Sequence, residues 1–410
     1  MRGGSGIVTF TMDAIQQLQL FNQGRNTTGL ALKYRKMRDS AFSFLRGSCH
    51  LFYARLTQVQ PLPDAPLAWV CGDLHLENFG SYKADNRLVY FDINDFDEAA
   101  LAPASWDLLR MLCSVALGAD AAGLRPQEGT RLGSAFLDAY AAALAQGKAL
   151  SVERETAIGL VRSLLDDARA RKRSNLLDKF TDIHGKQRLL RLDGKRAFAA
   201  TAVQQKAARD CMARIAANAL NPDFYEVLDV AQRLAGTGSL GLERYLILVQ
   251  GKGAPDGHYL LDLKRAVSSA LVPHLHVAQP QWASEAHRIV DVQRHIQAMS
   301  MAFLQPVLTG EAAYVLRGLQ ASEDRIALGA THQSPPEQLA LLTTMGQVLA
   351  WAHLRGAGRS GAANTEALVA FGQATGWKTA LHEAATAMAA QVRADWSDFA
   401  AAYDRGVLHA

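Results

Sequence analysis

The stretch Gly236-Thr237-Gly238-Ser239-Leu240-Gly241-Leu242-Glu243-Arg244-Tyr245-Leu246-Ile247-Leu248-Val249 decides how the chain is read. Its first six residues match GxGxxG, a pattern that opens a helix in a dinucleotide-binding fold. The residues that follow are apolar and β-prone, so here the glycines open a strand. A Gly/Pro turn (Gly251, Gly253, Pro255, Asp256, Gly257) leads to a second strand over 258–263, with Lys264 at its end. The pairing reads as a hairpin.

Glycine loop, strand, turn and strand with a terminal lysine is the order of a kinase nucleotide lid. There the glycines let backbone N–H groups approach phosphate, and the lysine reaches the α- and β-phosphates. Gly236, Gly238, Ser239 and Gly241 are therefore candidate nucleotide contacts together with Lys264. Such a lysine needs a carboxylate from a nearby helix. In the helix expected over 282–304 the candidates are Glu285 and Asp291, and Asp291 is preferred.

Working outward toward the N-terminus, a short apolar strand over 67–71 ends in Gly72-Asp73-Leu74-His75-Leu76-Glu77-Asn78. Asp73 and Asn78 keep the D-L-x-x-x-N order of a kinase catalytic loop. In that chemistry a carboxylate orients the attacking hydroxyl and an amide oxygen holds the magnesium that neutralises the phosphates. The pairing alone also fits an Asx-rich turn. A second strand over 88–94 carries Asp92-Ile93-Asn94-Asp95-Phe96-Asp97-Glu98. So many carboxylates repel one another unless a cation or several donors hold them, and magnesium prefers such oxygens. Asp95 is the first choice for metal with Asn78. Asp97 and Asp92 are second choices. Strand alternation predicts Asp95 and Asp97 on one face. Asp107, in the first turn of the helix opening at Trp106, is read as structural, either accepting N–H groups from the catalytic loop or capping its own helix. His75 is expected to brace the loop, and Arg46 has functional and packing readings of equal weight.

In kinases the glycine loop and lysine precede the catalytic loop. Here the order is reversed, and reading the chain as a circle from Gly236 restores it. The expectation is an α+β, protein-kinase-like two-lobed fold, circularly permuted, with a mostly helical large lobe and a small antiparallel-sheet lobe. Such rearrangement is tolerated because termini often lie close together. The expected parts are an N-terminal helical segment (1–70), the catalytic-loop and metal part of the helical lobe (71–220), a small β lobe with the glycine loop and lysine (221–330), and C-terminal helices completing the helical lobe (331–410).

Composition agrees with a globular, cytoplasmic protein. The 410 residues are 49% hydrophobic and 20% charged, enough for two or three lobes with cores. Lys plus Arg is 43 and Asp plus Glu is 39, a balance that gives no general reason to expect nucleic acid or an anionic membrane as partner. The patch Arg169, Arg171, Lys172, Arg173 is short and lacks interleaved aromatics, which argues against nucleic acid. Four scattered cysteines without a CxxC pair read as buried thiols. The N-terminus lacks a signal-peptide pattern, and no apolar run is long enough to span a membrane.

The runs Ser43-Phe44-Leu45-Arg46-Gly47, Cys71 to Gly80, Asn94-Asp95-Phe96-Asp97-Glu98 and Trp106-Asp107-Leu108 resemble DUF2252, a bacterial family of unknown function. Gly236 to Gly241, Leu263-Lys264, Val290-Asp291-Val292-Gln293-Arg294 and Ala352-His353 are similar to its later motifs, and the likeness runs from about Lys33 to Tyr403. The Gly-Asp-Leu-His-x-x-Asn core also resembles aminoglycoside and choline phosphotransferases. That resemblance implies Asp73 as base and Asn78 and Asp95 as metal ligands. The family's lysine is usually followed by Glu, where Arg265 stands here, and Asp291 stands where Glu is expected. The combined expectation is an ATP- and Mg2+-dependent phosphotransferase acting on an unidentified hydroxyl acceptor, small molecule or protein. The alternatives are a catalytically silent nucleotide-binding module and a nucleotidyl (AMP) transferase.

Overall fold

In a computed structural model, residues 13–56, 62–185, 187–254, 256–320, 324–329 and 333–408 are described. Pro255, expected in a turn, lies outside them, as does the start of the chain. Helices α1 (Ala14–Phe21), α2 (Thr27–Arg38), α3 (Ala41–Gly47) and α4 (Cys49–Leu56) come first. Asp13, Asn26 and Ser40 start the first three by accepting from backbone N–H groups of the opening turn. Strand β1 (Leu67–Val70) runs into the 72–78 loop, and the antiparallel pair β2 (Phe79–Lys83) and β3 (Val89–Ile93) follows. Strand β4 (Ala100–Pro103) returns to pair with β1. The chain continues through α5 (Ser105–Ala121), α6 (Pro126–Ala145), β5 (Val152–Glu153), α7 (Gly159–Ala170) and α8 (Arg173–Phe180).

A hairpin of β6 (Thr181–His184) and β7 (Gln187–Leu190), then β8 (Ala197–Ala199) and α9 (Ala202–Ala217), lead to β9 (Val227–Arg233), β10 (Arg244–Val249) and β11 (Tyr259–Arg265). Helix α10 (Glu285–Ile296), β12 (Gln305–Thr309) and β13 (Ala312–Gly318) follow. The chain closes with α11 (Pro335–Gly356), α12 (Thr365–Gln373) and α13 (Trp377–Asp404). In the first turn of α11, Ser334 and Glu337 form a reciprocal capping box beside a proline.

The class is α+β. One antiparallel sheet has the order β12-β13-β11-β10-β9-β8. Along β11, Leu261 and Leu263 face a core closed by Cys211, Met212 and Ile215 of α9. The alternation of the strand turns Asp262 and Lys264 to the opposite face. That face also packs Leu246 and Leu248 against Leu177 and Phe180 of α8. The larger core lies among the remaining helices with β1–β5, where Trp69, Phe136, Tyr140 and Phe399 are fully buried.

Residues 173–217 correct the expected boundary at 221. Their strands and helices pack on the sheet, so this part of the sheet unit begins near α8. Strands β6–β8 are only three or four residues long, too short for periodicity to separate from the helical texture around them. The helix expected over 282–304 ends at Ile296, and β12 begins at Gln305. The cysteines are free and buried as expected. Among the described residues, no helix is long and apolar enough to cross a membrane.

Candidate functional site

Between the sheet and the helical core lies a small cleft. Asp73, Asn78, Asp95 and Asp97 line it from one side, and Gly236, Thr237, Gly238 and Ser239 from the other. Segments some 160 residues apart in sequence therefore meet, as Lys264 and Asp97 show directly by pairing (|i−j| = 167). The cleft encloses a volume of about 60 Å³.

The 72–78 loop is held from beneath. Asp107, fully buried in the first turn of α5, accepts from the N–H groups of Cys71 (2.9 Å) and Gly72 (3.0 Å). This is the structural role expected for it. His353 Nε2 lies 3.7 Å from the same carboxylate. Gly72 has φ +84°, and a Cβ there would come within 2.3 Å of the Glu98 carbonyl, so the turn into the loop requires glycine. His75 Nδ1 accepts from the Glu77 N–H at 3.1 Å. Burial, aided by Arg46 and Arg110, pushes the His75 imidazole well below its usual pKa, so the ring is a neutral brace.

Asp73 receives the Arg110 Nε at 2.7 Å on Oδ1, and Arg110 Nη2 pairs with the same oxygen. Arg110 is 0% exposed and sits over the Phe52 ring, 4.7 Å from its centroid. Asp73 Oδ2 faces the glycine loop, 3.9 Å from where a Cβ on Gly238 would sit. Burial raises the Asp73 pKa above the ordinary carboxylate value, against the pull of Arg110. Asn78 donates its side-chain N–H to the Asp73 carbonyl at 2.6 Å. Its Oδ1 has no protein donor among the described residues.

Asp95 and Asp97 both line the cleft, but β3 has already ended at Ile93, so strand alternation is not what brings them there. Burial opposes the charge on Asp95, but Lys264, Arg317 and Arg325 outweigh it and hold the carboxyl below its ordinary pKa. Asp92 is buried elsewhere. It accepts from the Ala298 N–H (2.8 Å) and lies 3.6 Å from Arg355, which gives it a structural role. Lys264 pairs with Asp97, and this corrects the expected partner. Asp291 is only partly buried on α10, and it neither pairs with Lys264 nor lines the cleft. Glu285 on that helix is bound to Arg288 at 2.6 Å. Burial lowers the Lys264 pKa to about 8, against the opposing effect of Asp95.

Two groups of residues escaped the sequence reading. Asp262, one turn of the pleat from Lys264, is 1% exposed and gathers three guanidinium groups. Arg233 lies at 2.9 Å, Arg244 at 2.5 Å and Arg317 at 3.3 Å. Arg317 also donates to the Asn94 carbonyl at 3.2 Å, which ties the sheet to the acidic loop. The other group comes from the N-terminal helices. Arg25 Nη1 donates to the carbonyls of Gly238 (2.7 Å) and Leu240 (2.8 Å), and Lys33 Nζ to that of Gly238 (3.1 Å). The signal for Lys33 was its place on the stripe Leu30, Lys33, Tyr34, Met37, all buried. Arg110 had the same signal, a lone cation in the apolar run 108–112.

Among the described residues, no three His, Cys, Asp or Glu side chains are grouped to hold a metal ion by themselves. The hard oxygens of Asn78 and Asp95 could hold a cation only with further oxygens supplied by a ligand.

The chain matches the family model "Uncharacterized protein conserved in bacteria (DUF2252)" over residues 25–402, and it belongs to that family. Comparison with curated proteins and with solved structures returned no match.

Proposed function

We propose that this member of an uncharacterised bacterial family is an ATP- and Mg2+-dependent phosphotransferase with a circularly permuted kinase-like arrangement. The observation that carries the reading is the meeting of a glycine loop and a buried lysine with an Asp/Asn/Asp set in one cleft. Binding alone does not require a carboxylate facing the phosphate loop.

In this reading the backbone amides of 237–239 and the Lys264 ammonium bind the triphosphate. Asn78 Oδ1 and Asp95, with Asp97 as a further oxygen donor, would hold the magnesium that the phosphates bring. That ion neutralises phosphate charge and polarises the transferring group. Lys264 leaves Asp97 for phosphate as the nucleotide enters. Asp73 Oδ2 accepts a hydrogen bond from the acceptor hydroxyl and orients it toward the γ-phosphorus. The acceptor O–P bond forms, the bridging β–γ O–P bond breaks, ADP departs, and the hydroxyl proton passes to Asp73. Arg110 stays on Oδ1 and fixes the carboxylate's orientation.

A second reading, a nucleotide-binding module without turnover, is favoured by one observation: Arg110 engages the would-be catalytic carboxylate of Asp73 twice. Incubation with magnesium and, in parallel, γ-labelled and α-labelled ATP separates the readings. Hydrolysis or transfer that Asp73→Asn abolishes supports the phosphotransferase, binding without turnover supports the silent module, and label retained from the α-phosphate points to nucleotidyl transfer.

A further inference from the structure

The glycine loop does not stand free over the cleft. Its carbonyls are taken by the N-terminal helix pair. Lys36 Nζ reaches the Gly236 oxygen (3.4 Å), Arg25 and Lys33 the Gly238 oxygen (2.7 and 3.1 Å), and Arg25 the Leu240 oxygen (2.8 Å). The Asn26 N–H donates to the Gly241 oxygen at 2.9 Å. The backbones touch as well. A Cβ on Gly29 would lie 2.6 Å from the Gly241 Cα, and Gly241 itself has φ +87°.

A trans peptide points its C=O and the following N–H in opposite directions. Carbonyls of Gly236 and Gly238 drawn toward the helices therefore turn the amides of Thr237 and Ser239 away from them. Among the described residues, the amides of Thr237, Gly238 and Ser239 donate no hydrogen bond, and all three residues line the cleft. Successive free amides make an anion-binding concavity.

Lys33 is the informative residue. Its side chain is 0% exposed, and Nζ is held by two neutral oxygens, Asn22 Oδ1 (2.8 Å) and the Gly238 carbonyl (3.1 Å). No carboxylate pairs with it among the described residues. Burying a lysine on neutral acceptors costs stability, and burial pushes its pKa well below the usual value; a methionine would fill the same space without that cost. Stability alone does not account for the lysine.

We infer that α2 and the connection that leads into it form a clamp that sets the phosphate-binding face of the glycine loop, with Lys33 and Arg25 as positioning residues; this rests on the nucleotide reading above. Without the clamp the Gly238 carbonyl is free to turn inward and set a negative dipole against the phosphates.

The test compares Lys33→Met with wild type by calorimetric titration of ATP with Mg2+ and of tripolyphosphate, with thermal midpoints and hydrogen exchange of the 234–243 segment. The lost hydrogen bond to the Gly238 carbonyl is an ordinary one in magnitude, so affinity for both ligands should fall about fivefold. The thermal midpoint should stay at or above that of wild type, and exchange in 234–243 should speed up. Arg25→Gln should weaken both ligands in the same direction. Wild-type affinity in Lys33→Met overturns the clamp, and so does a weakening that merely tracks a lower midpoint. If wild type itself binds neither ligand, the nucleotide reading fails, and exchange alone decides the clamp: faster exchange in the variant upholds it, and equal exchange refutes it.

Discussion

Replacing Asp73 by alanine should unfold the protein more easily as well as silence it, and the two effects can be separated. Arg110 is 0% exposed, and both of its bonds to a carboxylate end on Asp73 Oδ1. Among the described residues, its other hydrogen-bond partner is the Leu45 carbonyl at 2.8 Å. Removing one partner of a buried ion pair leaves an uncompensated charge and costs about 3–5 kcal/mol, whereas replacing both by apolar groups is often close to neutral. Asp73→Ala should therefore lose about that much, Asp73→Asn less because the amide oxygen still accepts, and Asp73→Ala with Arg110→Met should recover most of the loss. The assay is chemical unfolding of the three variants followed by tryptophan fluorescence. Trp106 stacks on Tyr53 with centroids 5.0 Å apart, and the Tyr53 hydroxyl bonds to the Gly72 carbonyl beside the site. An Asp73→Ala protein as stable as wild type, or a double variant no more stable than the single one, refutes the reasoning. Labelled-ATP turnover should be absent in all three.

Other substitutions separate the parts of the site. Asp107→Ala strands the N–H groups of Cys71 and Gly72, at about 1–3 kcal/mol each, and should lower the unfolding midpoint and accelerate hydrogen exchange in 71–78, a result that Asp107→Asn should show only in part. Asp291→Ala should leave ATP affinity within about twofold of wild type, since Lys264 pairs with Asp97; a tenfold loss would restore Asp291 as the lysine's partner. Lys264 carries a pKa lowered to about 8 by burial. Its unfolded form binds a proton up to about pH 10.4, so between the two values the unfolded state holds more protons and stability contributed by this group rises with pH. Lys264→Met removes that contribution, so its stability relative to wild type should fall across that window; parallel pH profiles would show that the lysine is not desolvated.

Much of the site was legible because its chemistry is local in sequence. The loop from Gly72 to Asn78, the acidic run from Asp92 to Glu98 and the glycines from 236 onward each carry their own turn or strand signals. Lys264 announced itself by ending a hairpin, and Asp107 by standing in a first helical turn. The lysine's carboxylate was not legible. Choosing Asp291 assumed that the partner comes from a helix, whereas Asp97 reaches Lys264 from across the cleft through tertiary packing alone. The clamp was hidden for a similar reason, since Arg25 and Lys33 act on backbone carbonyls and leave no motif. That residues 173–217 pack with the sheet was not legible, because strands of three or four residues do not outlast the helical pattern around them.

The central claim is that two distant segments close on one ligand. Hydrogen exchange of wild type with and without ATP and Mg2+ tests it most directly. Slower exchange is expected in 72–78, 94–98 and 236–241 together, and in none of them when Lys264→Met is used. Protection confined to one segment, or unchanged exchange in all three at saturating nucleotide, would contradict it.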